Sequence, residues 1–165
     1  LITMSQTLLS HFVKIGYVDD KLALEQCLFD PSMLEKIVFR IGDMIHGMEF
    51  DLILAKSRKE VAIAAFLAVS ERVQWKIFSQ DRHLNGYRNA ILISLECKKN
   101  AKTEMNIIKQ TQGKIATIIY LVNTGEKDTK EIFQDIGIRS FSLTTLHSIQ
   151  EFKKGKAKSS IVKTQ

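Results

Sequence analysis

Residues 50–78 read FDLILAKSRKEVAIAAFLAVSERVQWKIF, and this stretch decides the fold. Phe50-Asp51-Leu52-Ile53-Leu54-Ala55 is a short apolar run of the kind that forms a buried strand. Lys59 to Glu71 is an Ala-rich segment of helical character. Val73 to Phe78 is β-branched and aromatic, and its Trp75 is expected in the core. A strand, a helix of about ten residues and a second strand make a βα crossover, which joins parallel strands.

The same alternation continues outward. Ala90–Leu95 reads as a strand, Thr103–Gln112 as a helix stopped by Gly113, and Ile115–Val122 as the longest strand. Thr129–Ile136 reads as a helix ended by Gly137, Ile138–Leu143 as a strand and Thr145–Phe152 as a last helix. The strand runs are nearly all apolar, as required when both faces of a sheet are buried. Upstream, Thr7–Ile15 forms a short amphipathic pattern. Asp30-Pro31 then marks a helix start, with Asp30 as N-cap and Pro31 at the first position. Leu34, Ile37, Val38, Ile41, Met44, Ile45 and Met48 follow at helical spacing, and Gly47 ends the pattern. The expected fold class is α/β, a parallel sheet with helices on both faces.

The chain has 165 residues, which suits one domain of residues 1–152. Net charge is +6, and residues 151–165 hold five lysines against Glu151, so +4 of it is C-terminal. Residues 153–165 are read as a disordered Lys-rich tail, able to touch nucleic acid weakly. Cys27 and Cys97 lack metal-ligand or disulfide-framework spacing, and the expected compartment is the cytoplasm. No apolar run reaches the roughly 20 residues of a membrane helix, so no membrane partner is expected.

Ligands of parallel sheets bind where strand carboxyl ends run into helix N-termini. Two such turns are basic, Ala55-Lys56-Ser57-Arg58-Lys59-Glu60 and Leu95-Glu96-Cys97-Lys98-Lys99-Asn100-Ala101-Lys102. A third is Asn123-Thr124-Gly125-Glu126-Lys127-Asp128. Free N–H groups and the positive dipole end favour anions at helix starts, so the two basic turns are candidate phosphate sites. The solvated-loop reading stands beside it. Neither turn has glycines to wrap a phosphate. His11, His46, His83 and His147 show no metal-ligand spacing, and no catalytic triad is readable. Asp19-Asp20 and Asp128 read as turn residues.

The element order and several stretches resemble the type I phosphoribosyltransferases, closest to the orotate enzymes. Asp30-Pro31-Ser32-Met33-Leu34-Glu35-Lys36-Ile37 resembles their D-P-E-L-L-E-K-I helix start, and Phe50-Asp51-Leu52-Ile53 their F-D-V-I strand. Gly113–Asn123 resembles G-A-K-V-V-G-V-V-V-L-V-D, and Ile136–Leu146 resembles L-G-V-P-V-Y-S-L-L-T-L. The resemblance covers residues 5–152 and implies the phosphoribosyltransferase fold with a reduced N-terminal hood at Asp19–Leu24.

The functional motifs depart from the family. The phosphoribosyl-pyrophosphate loop V-D-D-x-x-T-T-G-G-S stands here as Ser94-Leu95-Glu96-Cys97-Lys98-Lys99-Asn100, with only Glu96 keeping a carboxylate. The pyrophosphate loop G-x-x-x-G-G aligns with Ala55–Glu60, with Lys59 and Glu60 at the glycines. The basic R-K-x-x-K segment aligns with Ser79–His83, where Arg82 is the clear cation, and the catalytic loop is cut to Leu84–Asn89. The resemblance with these losses implies a non-catalytic subunit, as a homodimer or with an active paralogue. It implies no catalytic residue, no metal and no cofactor. Three alternatives stay open. One is a sensor of a phosphate-containing molecule using Lys56, Ser57, Arg58, Lys59, Arg82, Glu96, Lys98, Lys99, Asn100 and Lys102. Another is a divergent pyrimidine-synthesis transferase using Glu96, Arg82 and magnesium with phosphoribosyl pyrophosphate. The last is nucleic-acid association through the tail.

Overall fold

The structure is a computed structural model that describes residues 6–18, 21–79, 83–124 and 128–162. The chain opens with helix α1 (Gln6–Gly16), a minimal antiparallel hairpin of β1 (Tyr17–Val18) and β2 (Lys21–Leu22), and helix α2 (Leu24–Phe29). Helix α3 (Pro31–Ile45) begins as the sequence predicts. Asp30 Oδ1 accepts the Met33 N–H at 3.0 Å, and Pro31 sits where a missing N–H is harmless. Helical spacing turns Met33, Ile37, Ile41, Met44 and Ile45 inward. Gly47, at φ +84°, takes the left-handed conformation beyond the helix end.

The α/β part follows. Strand β3 (Leu52–Ala55) leads through a 3-10 turn (Arg58–Glu60) into α4 (Val61–Glu71) and β4 (Gln74–Ile77). Strand β5 (Ala90–Cys97) leads through a second 3-10 turn (Lys99–Ala101) into α5 (Lys102–Gln110). Then come β6 (Ile115–Asn123), α6 (Asp128–Asp135), β7 (Arg139–Thr145) and α7 (Leu146–Val162). Five strands form one parallel sheet in the order β4-β3-β5-β6-β7.

The order reverses beside β3. The chain steps from β3 outward to β4, then returns past β3 to β5 and proceeds the other way. Asp51 fixes the return. Its carboxylate accepts the N–H groups of Arg88 at 2.9 Å and Asn89 at 3.1 Å, and its own N–H donates to Asn89 O. Period-two alternation then splits the sheet residues between two cores. Ile53, Ala55, Ile91 and Ile93 pack with α1, α3 and α4, while Leu52, Leu54 and Leu92 pack with Ile107, Ile108 and Phe133 of α5 and α6. Both faces are therefore buried, which explains the unbroken apolar runs.

Four expectations are revised. Helix α2 had no sequence signal, because its six residues complete under two turns, yet Leu24 and Cys27 are buried. The helix expected from Lys59 starts instead with a 3-10 turn and becomes α-helical at Val61. Trp75 is not a core residue. It lies on the edge strand β4, beyond which no further strand pairs among the described residues, and is 39% exposed. Helix α7 does not stop at Phe152 but continues to Val162. Asp19-Asp20, Gln80–Arg82 and Gly125–Lys127 lie outside the described residues. Among the described residues, no helix is long and apolar enough to cross a membrane.

Two outcomes follow from this packing. Replacing Asp30 by Ala removes the cap of α3 and lowers stability by about 1 kcal/mol in urea denaturation. Cys27 and Cys97 are both free and buried, and burial pushes the Cys27 thiol up from 9.0 to about 12 and raises Cys97 as well. A raised folded-state value means that the stability held by the neutral Cys27 thiol is full below pH 9 and is lost as the pH climbs toward 12. Native protein at pH 8 should resist thiol-labelling reagents that modify both cysteines in denaturant.

Candidate functional site

The crevice of an open parallel sheet lies where the strand order reverses, here between the carboxyl ends of β3 and β5. A cleft of about 460 Å³ is found there. Its walls come from Leu24 and Glu25 of α2, from Lys56, Ser57, Lys59 and Glu60 after β3, and from Leu95, Glu96 and Lys98 at the end of β5.

The floor is built around Glu60, which is 1% exposed. Ser57 and Glu60 form a capping box, in which each end of a helix start satisfies the other. Glu60 Oε2 accepts the Ser57 N–H at 2.9 Å and the Ser57 hydroxyl at 2.6 Å. Glu60 Oε1 reaches across the switch point and accepts the Leu95 N–H at 3.2 Å. One carboxylate thus ties the exit of β3 to the exit of β5. These N–H groups are the kind that would otherwise face an incoming anion.

A second carboxylate completes the arrangement. Glu104, in the first turn of α5, is 3% exposed. Its Oε1 accepts from Lys56 Nζ at 3.3 Å and lies 3.2 Å from Ser94 Oγ. Ser94 Oγ is equally close to Glu96 O, so its single proton serves one acceptor at a time. Lys56 Nζ also stands 4.0 Å from Glu60. The cation is held between two buried acids, and the group carries one excess negative charge. Both acids sit at helix starts, where the dipole favours them.

The other sequence candidates divide. Lys59 faces Glu25 at 3.9 Å, and Lys98 faces Glu96 at 3.5 Å. Both lysines are exposed, so each pair is worth at most about 1 kcal/mol. Arg58 and Lys102 are exposed, with no ion-pair partner among the described residues. Asn100 lies in the second 3-10 turn at φ +66°, followed by Ala101 at φ +44°. Lys99 begins that turn, and Arg82 lies outside the described residues. In the two basic turns that the sequence offers as candidate anion sites, Lys56, Lys59 and Lys98 are ion-paired. Each faces a carboxylate, two of which, Glu104 and Glu25, the sequence reading did not weigh. For Glu60 the signal was present as Ser57-x-x-Glu60, the capping-box pattern. For Glu104 it was an acid in the first turn of a predicted helix. Among the described residues, no group of three or more His, Cys, Asp or Glu is placed to hold a metal.

The inner cluster is a structural unit with a thermodynamic signature. Glu104→Ala leaves Lys56 without its closest partner, and Lys56→Met leaves two buried acids without a cation. Each should lower stability by about 3 kcal/mol or more. The double variant should lose clearly less than the sum, as read from a denaturation double-mutant cycle.

No protein-family model and no curated protein sequence matches the chain. Solved structures do. The chain is similar to Leishmania donovani UMP synthase at 13% identity and a TM-score of 0.73, over 92% of this chain and 38% of that one. It is similar to orotate phosphoribosyltransferase from Aeropyrum pernix at 16% identity and a TM-score of 0.68, covering 90% and 98% of the two chains. Adenine phosphoribosyltransferase from Thermoanaerobacter pseudethanolicus follows at 13% identity and a TM-score of 0.59, covering 76% and 88%. The parallel sheet, its switch point and its covering helices are those of the type I phosphoribosyltransferase fold, and the chain has that fold.

Proposed function

We propose that this chain is a non-catalytic protein on the phosphoribosyltransferase scaffold, acting as a structural or regulatory subunit. The observation that supports this most is the internal satisfaction of the cleft. On the resemblance, the turn after β3 takes the place of the pyrophosphate loop and the turn after β5 that of the phosphoribosyl-pyrophosphate loop. In the first, Glu60 holds the N–H groups of Ser57 and Leu95. Beside the second, Glu104 stands at the start of α5 and binds Lys56. A phosphate entering either turn meets a fixed negative charge, and in the first it meets donors already engaged. Magnesium with phosphoribosyl pyrophosphate is not matched by the residues present. Leu95, at the place of one family acid, is buried, and Glu96 is paired with Lys98. Transition-state stabilisation in phosphoryl and glycosyl transfer is chiefly electrostatic, so these losses remove most of its source.

A second reading has one observation in its favour. Arg58 and Lys102 do not line the cleft, but they adjoin in sequence its lining residues Ser57, Lys59 and Thr103 and have no ion-pair partner among the described residues, so a phosphate compound held beside the cleft, without turnover, is the second reading.

One set of assays separates the readings. Pyrophosphate release is measured with phosphoribosyl pyrophosphate, magnesium and orotate or a purine base, and thermal unfolding with the same compounds. The non-catalytic reading expects release no faster than without protein, and sustained turnover would end it. A ligand present at 100 times its Kd stabilises by about 2.7 kcal/mol. A shift of that size without turnover would favour the second reading, and Arg58→Ala should abolish it.

A further inference from the structure

A second groove, of about 570 Å³, lies between α3 and α4 and shares no lining residue with the cleft. It runs along α3 from Pro31 to the C-cap His46, about 22 Å of helix, with Phe66 and Ser70 of α4 on its other side. Leu34, Val38, Phe39 and Phe66 make it apolar. Phe39 is 72% exposed and Phe66 57% exposed. Apolar surface of this kind, rimmed by polar residues, marks an interaction site. Gly42, midway along the groove, adds to this. A glycine inside a helix costs about 1 kcal/mol relative to alanine. Apart from its own helix backbone and chain neighbours, nothing lies within 4 Å of where a Gly42 Cβ would stand. Packing inside the chain therefore does not call for the missing side chain, and its absence leaves open floor in the groove.

The polar wall has one sign. Glu35, Asp43 and Glu71 line the groove, no Lys or Arg does, and none of the three acids has an ion-pair partner among the described residues. The cations of α3, Lys36 and Arg40, line a neighbouring hollow with Leu8 of α1, and Lys36 Nζ stands 3.1 Å from His11 Nδ1. Charge complementarity therefore asks for a basic occupant. Glu35 and Asp43 are separated by about 12 Å along α3, and Glu71 stands across from them on α4. A small cation reaches one of these acids, whereas an extended occupant with several cations reaches all three. Anionic lipid headgroups would meet like charge here. A second copy presenting the same groove would oppose acid to acid.

We propose that the α3/α4 groove docks a basic amphipathic helix of a different protein. Apolar anchors at i, i+3 or i+4, and i+7 fill the floor between Leu34, Val38, Phe39 and Phe66, and lysine or arginine on the flanks meets Glu35, Asp43 and Glu71. A helix that fills the groove has about 15 residues, and cations about eight positions apart on one edge match Glu35 and Asp43. The inference names the partner class of the subunit reading. It rests on that reading for the existence of a partner and not for the loss of turnover.

The test is fluorescence anisotropy of synthetic peptides of about 15 residues against the full chain. The first peptide carries leucine at i, i+3, i+4 and i+7 spacing with lysine on the flanks. In the second, glutamate replaces the lysines, and in the third, serine replaces the leucines. The first should bind about tenfold or more tightly than either other, and added salt should weaken it. Phe39→Gln, Phe66→Gln and Gly42→Leu should each weaken it by about tenfold or more. Gly42→Leu fills the floor while improving helix propensity, so it separates a blocked groove from a destabilised fold. Circular dichroism checks that each variant is folded. The triple variant Glu35→Lys, Asp43→Lys, Glu71→Lys should lose the lysine peptide and bind the glutamate peptide. Equal binding of the lysine and glutamate peptides, no binding of the lysine peptide, or binding indifferent to Phe39→Gln and Gly42→Leu would overturn the proposal and leave the subunit reading to the turnover assay. Self-association of the chain in sedimentation velocity that Phe39→Gln abolishes would also overturn it, because a second copy then fills the groove. So would flotation with phosphatidylcholine and phosphatidylserine vesicles that the same variant abolishes. Turnover in the pyrophosphate assay would end the subunit reading, while binding of the lysine peptide with these variant effects would still sustain the docking site.

Discussion

The carboxylate of Glu60 is the constraint around which the centre of this molecule is arranged. It is buried, so it must be surrounded by donors or be driven out. It takes the Ser57 N–H and hydroxyl on one side and the Leu95 N–H on the other. Ser57 lies in the turn after β3 and Leu95 near the end of β5, and the chain leaves these neighbouring strands toward opposite faces of the sheet. The bond to Leu95 therefore sets the distance between the two exits, and the capping box sets the angle at which the chain turns toward α4. Lys56, four residues earlier, is brought between Glu60 and Glu104 by the same turn.

This arrangement decides how the cleft treats negative charge. Two unit charges about 5 Å apart repel by about 3 kcal/mol at an effective dielectric constant of 20. A phosphate brought beside Glu60 or Glu104 would face repulsion of that order from a group that cannot move aside. Against it stand Arg58 and Lys102, exposed cations whose ion pairs are worth about 1 kcal/mol or less. Lys56 contributes little more, since binding a phosphate would require it to leave a carboxylate at 3.3 Å. The inner cleft thus favours its own acids over a foreign anion, and any attraction left is beside it.

The sequence showed the scaffold well and the site poorly, for different reasons. Strand runs such as Leu52–Ala55 and Ile115–Asn123 are buried on both faces, and burial on both faces writes itself as an apolar run. The start of α3 was legible because Asp30-Pro31 acts within four residues. What failed was whatever depends on distant segments. Trp75 is aromatic on a strand, and only the sheet order makes that strand an edge. Lys56 and Glu104 are 48 positions apart, so no local pattern shows that they neutralise each other. A basic turn read alone shows its cations and not the distant acid that Lys56 faces.

The second turn shows which part of the site the fold keeps regardless of residue type. Asn100 and Ala101 both have positive φ, at 66° and 44°. Asn tolerates that region, but for Ala it costs about 1–2 kcal/mol, which Gly would avoid. Local preference is therefore overruled here. The end of β5 is fixed by its pairing with β6, where Cys97 is opposite Asn123, and α5 is fixed by the burial of Ile107 and Ile108. The chain between them has few residues in which to reverse, and it must pass through the left-handed region whatever side chains it carries. Asn and Ala at such a bend leave the scaffold standing at a small cost, and Glu104, three residues further on, adds a buried acid beside it.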